Sequence, residues 1–202
     1  MAIVINGSGT VTGLAVGGLP DGTVDAGTLA TDSVDSAELI DGAIDASHMA
    51  SGFTGKVVQI VNHQNGGVIT GTGVIPLDNS IPQIAEGSEF MTLAITPTSA
   101  TNKLKIEVVF QNWISAQNVA VVALFQDTTA NALATGKSYV SGGDRDTVIN
   151  FSYIMTTGTT SATTFKVRAG VNSAGTTAMN GRSGAIHGGA LSSSITIIEY
   201  EA

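Results

Sequence analysis

The sequence predicts an all-β protein: a C-terminal antiparallel, jelly-roll-like sandwich preceded by a thin, repeat-containing N-terminal trimeric stalk. Three observations predict it. From Lys56 onward, short β-forming runs alternate with clusters of Gly, Asn, Ser, Thr and Asp. A ten-residue repeat occupies residues 21–50. Charge and aromatic residues are divided between the two parts: residues 1–55 hold seven acids, no Lys or Arg and a single aromatic, Phe53, whereas Trp113, three Tyr and five Phe follow Lys56. A hydrophobic core therefore belongs to the C-terminal part.

Composition bounds the answer further. With 202 residues, 43% hydrophobic and only 12% charged, the chain suits one compact domain plus a smaller piece. The absence of cysteine removes a disulfide framework, a thiolate metal site and a cysteine nucleophile, and leaves the redox compartment open. A net charge of -8 has the wrong sign for holding phosphate backbones, so no nucleic-acid partner is expected. Met1-Ala2-Ile3-Val4-Ile5-Asn6-Gly7 lacks the basic start and apolar run of a secretory signal. No stretch approaches the roughly 18 apolar residues of a membrane-spanning helix. The expectation is a soluble protein without membrane insertion, leaving the cell, if it does, by lysis or within a particle.

Residues 1–20 alternate β-formers with turn residues and carry almost no charge, as in Ile3-Val-Ile-Asn-Gly-Ser-Gly-Thr-Val-Thr12. A short strand-and-loop element that attaches to a partner surface is expected there. In residues 21–55 the decamers begin at Asp21, Thr31 and Asp41. Val24, Val34 and Ile44 coincide in register, as do Asp25, Asp35 and Asp45, and Leu29, Leu39 and Met49. Large apolar residues thus recur every five positions, which fits neither a coiled coil nor a continuous strand. Each unit reads as an extended step followed by one helical turn capped by its Asp.

Two apolar side chains per decamer contribute ~1.5–3 kcal/mol each when buried. Ordering costs about 1–2 kcal/mol per backbone residue. One copy does not fold alone. Three copies wound about a common axis place Val24, Leu29, Val34, Leu39, Ile44 and Met49 inside and the acids outside, a homotrimeric stalk. Without the repeat register, the same composition would read as a disordered acidic tail.

In residues 56–202 the predicted strands are 56–63, 67–72, 89–96, 104–113, 119–126, 147–155, 163–169 and 194–199, a number that suits a jelly roll. Alternation places Phe165 and Val167 inward with Lys166 and Arg168 outward, and likewise sets Leu104, Ile106, Val108 and Phe110 on one face. Thr96 to Asn102, with Pro97, reads as a turn. Val119 to Phe125 is almost continuously apolar, which predicts burial on both faces, one against the core and one against a neighbouring subunit. No segment makes a long helix, so an α/β enzyme fold is disfavoured.

Motifs for chemistry are weak. His48, His63 and His187 lack metal-ligand spacing and read as solvated. Glu86, Glu89, Glu107 and Asp78 offer no fixed carboxylate pair for glycoside hydrolysis and read as surface acids. Gly71-Thr-Gly73 and Gly7-Ser-Gly9 lack the Lys-Ser/Thr of a phosphate loop. Asp144 and Asp146 are too few for calcium, which takes 6–8 oxygens. Asn6 and Asn150 begin glycosylation triplets that carry no weight without a signal peptide. No catalytic residue, cofactor or metal is expected. Trp113, beside Gln111 and Asn112 at a strand end, is the candidate receptor contact, since an exposed indole stacks on a sugar face; its alternative is packing in the core or an interface. The loops around Gly66 and Gly67, Ser141 to Asp146, and Ala178 to Gly189 are candidates for the outward end.

Several stretches carry a resemblance. They are Ile5 to Gly22 with its following decamers, Ile81 to Pro97, Ala123-Leu-Phe-Gln-Asp127, Thr159 to Gly170 and the ending Ser192-Ser-Ser-Ile-Thr-Ile-Ile-Glu-Tyr200. Together they resemble trimeric virion fibre proteins of tailed bacteriophages, of tail-fibre or head-fibre type, with a small jelly-roll tip. The resemblance covers most of the chain and implies a non-enzymatic homotrimer located in the virion. It implies docking on other virion proteins through residues 1–20 and a tip that binds a glycan or protein of the host cell surface. The chain is short for a reaching fibre, so a capsid decoration or head-fibre protein without a receptor role is the second expectation.

Overall fold

The computed structural model describes residues 4–5, 11–12, 56–115, 117–142 and 145–201. The chain divides into two compact units, Met1–Phe53 and Thr54–Ala202. In the first, β1 (Val4–Ile5) pairs antiparallel with β2 (Val11–Thr12), with Val4 opposite Thr12. Both strands fall within the segment for which a strand-and-loop element is expected, and the residues between them lie outside the described ones. The decamers, and with them Val24, Leu29, Val34, Leu39, Ile44 and Met49, lie outside the described residues, as do His48, Asn6, Asp144 and the Gly7-Ser-Gly9 turn.

The second unit is an all-β sandwich. One sheet has the order β5 (Ser88–Ile95), β10 (Thr163–Val171), β7 (Asn118–Gln126), β8 (Ala134–Val140). The other is built around β6 (Lys103–Ile114), which pairs along its whole length with β9 (Arg145–Thr156). The opposite side of β6 is shared: β12 (Ser193–Tyr200) pairs with residues 103–109, and the short β11 (Thr177–Met179) with residues 112–114. Outside these lie β3 (Val57–Asn65) against β12 and β4 (Ile69–Gly71) against β11. Every strand pair within these two sheets is antiparallel.

Period-two alternation builds the interior. Leu104, Ile106, Val108 and Phe110 of β6, Ile195 and Ile197 of β12, and Phe165 and Val167 of β10 are all buried between the sheets. Phe90 of β5 meets Phe110 of β6 edge to face, ring centroids 5.2 Å apart, which joins the two layers. Each such side chain contributes about 1.5–3 kcal/mol through burial.

Both faces of β7 are buried, as expected, but the cover on its second face differs from the expectation. Ala120, Val122 and Leu124 face the main core, while Val121, Ala123 and Phe125 pack with Ile75, Ile84 and Ala132. The outer face of this sheet is therefore closed by the chain's own 72–87 segment, and a neighbouring subunit is not needed there. That segment is pinned by Ile75 N–H to the Val171 carbonyl (3.0 Å), and by Arg168, whose guanidinium donates to the carbonyls of Glu86 and Gly87 (both 2.8 Å). It lies so close to β10 that a Cβ on Gly170 would stand 2.3 Å from the Gly73 carbonyl oxygen.

The alternation within β10 and β6 matches the sequence reading, and the eight predicted strands are present with small shifts of boundary. Two further strands, β8 and β11, were not foreseen. The only helical element among the described residues is a 3-10 turn at His187–Gly189, and no helix there is long and apolar enough to cross a membrane.

Candidate functional site

The place where β12 gives way to β11 along β6 organises one end of the sandwich. Neither strand reaches the backbone of Gln111 by a ladder bond, and two other groups complete it. The Asn180 N–H donates to the Gln111 carbonyl (2.9 Å), and the Gln111 N–H donates to Ser193 Oγ (2.9 Å). Ser193 in turn donates to Asn180 Oδ1 at 2.7 Å. The Asn180 amide donates to the carbonyls of Asn65 (2.6 Å) and Gly67 (3.0 Å). This network is buried, and it holds Asn180 in a left-handed conformation at φ 63°.

From this knot residues 181–192 leave as a loop that ends beside the turn between β3 and β4. A Cβ on Gly66 would stand 2.3 Å from the Gly189 carbonyl oxygen. His187, Gly188 and Gly189 all have positive φ, at 51°, 65° and 89°. A non-glycine residue in that region stores strain of order 1–3 kcal/mol, which the surroundings must hold in place.

The β6–β9 register sets Trp113 opposite Asp146 and Gln111 opposite Val148. The 181–192 loop comes up against them and leaves a cleft of about 230 Å³ lined by Gln111, Asp146, Val148, Gly181, Ile186, His187 and Leu191, with Asn112 and Thr147 also at its boundary. At its rim the Arg182 guanidinium is 3.8 Å from Asp146 Oδ2, and its carbon lies 6.0 Å from the centroid of the Trp113 ring. Val148 is 55% exposed, and Trp113 is half-buried. Apolar walls and a few amide, carboxylate and imidazole groups are the usual lining of a site for a small polar ligand with an apolar face.

The loops nominated from sequence, around Gly66 and Gly67, Ser141 to Asp146 and Ala178 to Gly189, thus contribute to one end through residues 66–67, Arg145 and Asp146 at the start of β9, and the 180–189 stretch, while Ala178 and Met179 belong to β11. Trp113 stands among them. The other singled-out side chains serve the fold or lie in solvent. Glu86 accepts the Gln83 N–H (2.9 Å), Glu89 lies 3.6 Å from Arg168, and Glu107 lies 2.7 Å from Lys105. Asp78 accepts from Ser80, which lowers its pKa, and His63 is exposed. Among the described residues no group of three or more His, Asp or Glu side chains is placed to hold a metal ion.

The sequence reading missed one buried carboxylate. Glu199, at the far end of β12, is fully buried and accepts from Gln59, Asn102 (2.7 Å) and both the N–H and hydroxyl of Thr98. Burial alone would raise its pKa, but the bonds from Gln59, Asn102 and Thr98 outweigh this and hold it at about 2. Its position signalled this, since it follows Ile195 and Ile197 on the inward parity of the strand.

No protein-family model matches the chain, and no curated protein matches it in sequence. Among solved structures it is similar to Eiger TNF from S. frugiperda, with 8% identity over 69% of this chain and 92% of that one and a TM-score of 0.40. It is similar to a protein of the infectious bursal disease virus Gx strain, with 13% identity, 72% and 38% coverage and a TM-score of 0.32. It is also similar to the enzymatically active domain of bacteriophage CBA120 tailspike protein 4, with 15% identity, 61% and 19% coverage and a TM-score of 0.26.

Proposed function

We propose that the protein is a structural component of a bacteriophage virion: a homotrimeric, non-enzymatic fibre. Its residues 1–20 dock on other virion proteins, its decamers form the trimeric stalk, and its sandwich binds the host cell surface. The strand orders β3-β12-β6-β9 and β5-β10-β7-β8 are read as a jelly roll, an eight-stranded double sheet. The single observation that carries the receptor role is the position of the cleft. The described part of this unit begins at Lys56, next to the end of β6 that begins at Lys103, because Val57 and Lys103 both flank Tyr200. Trp113 and the converging loops lie ten residues further along β6, about 30 Å away at roughly 3.3 Å per residue. The cleft thus lies at the end of the sandwich opposite Lys56, the first described residue of this unit.

Purified protein added to susceptible cells tests this reading. It is expected to bind the cells and compete with adsorption of the phage, and failure to do either sinks the receptor role. Labelling on intact particles then separates tail from head: signal over the capsid would move the protein to the decoration or head-fibre reading, with the same trimer and no receptor.

A further inference from the structure

The outer face of the β6 sheet carries residues in rows that run straight across four strands. One row is Ile60, Ile198, Lys105, Ile154, from β3 through β12 and β6 to β9. Its two ends are open to solvent, Ile60 at 59% and Ile154 at 55% exposure. The charge within it is neutralised locally, since the Lys105 ammonium lies 2.7 Å from Glu107, which leaves its alkyl stem between the isoleucines. Tyr200 and Val57, the latter 51% exposed, flank the row on the side where the chain enters. The next row in the other direction is polar: Asn62, Thr196, Glu107 and Ser152. Val148 is exposed at the cleft end of the same face, but Val57, Ile60 and Ile154 form the exposed apolar group nearest Lys56, and β3, which carries part of it, is a nine-residue edge strand. A long, apolar edge is an aggregation hazard unless something covers it.

We infer that this band, centred on Ile60, Ile198 and Ile154, is the surface through which the β domain packs against further copies of itself. The inference rests on the homotrimeric reading above. The occupant follows from chain length. The last decamer ends at Ala50 and β3 starts at Val57, so only six residues intervene, at most about 20 Å of chain. Three chains joined through their decamers deliver three copies of the band close together, at an effective concentration on the order of millimolar. A patch too small to hold free monomers together is sufficient under that tether, because most of the cost of association is already met. In a threefold ring the contact is heterologous, one part of the band meeting a different part of the next copy's.

The chain has no cysteine, so introduced thiols report without background. The full-length double variant I60C/I154C, treated with a short bis-maleimide, is expected to run as a covalent trimer on a denaturing gel. The matched pair L77C/A94C, exposed on the other side of the domain, is expected to remain mostly monomeric. If native mass shows a trimer but I60C/I154C yields no more cross-linked species than L77C/A94C, the band is not the interface, and the trimeric reading survives. If native mass shows a monomer, both fall together.

Discussion

Thr98 directs its backbone N–H and its hydroxyl at the same oxygen of the Glu199 carboxylate, each at 2.9 Å, and so ties the turn after β5 to the end of the last strand. Asn102 and Gln59 complete the shell. Every neighbour is a donor, so the site is built for the ionised form.

That arrangement makes acid stability depend on Glu199. Its pKa falls from an ordinary 4.5 to about 2 on folding, so its contribution is complete above about pH 4.5 and is lost as pH drops from there through 2. Thr98 over it is exposed and solvent screens part of the effect, which leaves on the order of 2 kcal/mol. Glu199→Gln, which brings an amide N–H₂ against donors, is expected to lose about that much at pH 7 and to flatten the decline between pH 4.5 and 2. Urea midpoints of both proteins at the two extremes check this; parallel declines would remove Glu199 from the explanation.

The glycine at position 170 is required by contact. A methyl there meets the Gly73 carbonyl oxygen at 2.3 Å and the Ile75 nitrogen at 3.2 Å, both backbone atoms that cannot swing aside. Gly170→Ala is expected to cost about 1–3 kcal/mol, roughly 2–12 °C in melting temperature for a chain of this size. Gly184→Ala, with nothing within 4 Å of the new carbon, is expected to change stability by less than about 0.5 kcal/mol. A thermal melt of each variant decides, and equal effects would refute the packing argument.

At the loop end, binding and stability should separate. Val148 is exposed on the cleft wall, so Val148→Glu is expected to leave the melting temperature within a few degrees while reducing competition with phage adsorption tenfold or more. Trp113→Ala should reduce it by roughly 30-fold or more if the indole is an anchor. Unaltered competition by both variants would move the receptor contact away from this cleft.

The residues that were legible in the sequence are those whose neighbours are their own strand partners. Leu104 to Phe110 and Phe165 to Val167 announce their inward face by alternation alone. The convergence of these loops was legible only as three separate loops: the Asn180 knot that joins the Gly66 turn to the 180–189 stretch depends on bonds between residues more than a hundred positions apart, and Asp146 is brought in by the β6–β9 register. β8 was hidden because Gly136 and Lys137 dilute its β pattern. The glycine is there because Ile149 and Phe151 of β9 stand where a side chain would point, 2.7 and 2.8 Å from a Cβ. At three residues, β11 is too short for any periodic signal.

The apolar run of β7 shows the same limit, and it supplies a further prediction. Sequence shows that Val121, Ala123 and Phe125 need cover but not where the cover comes from. Ile75 and Ile84 provide it from a segment that reads as loop. If that cover belongs to the same chain, Phe125→Ala opens a cavity within one subunit and is expected to cost about 3–5 kcal/mol. The solution mass of the folded protein would stay as in the wild type, because no contact between copies is lost. If instead the face were shared between subunits, the same variant would shift the assembly toward monomer and make its melting temperature depend on protein concentration. Light scattering and melts at two concentrations distinguish the two results, and the expected result is loss of stability with no change in mass and no concentration dependence beyond that of the wild type.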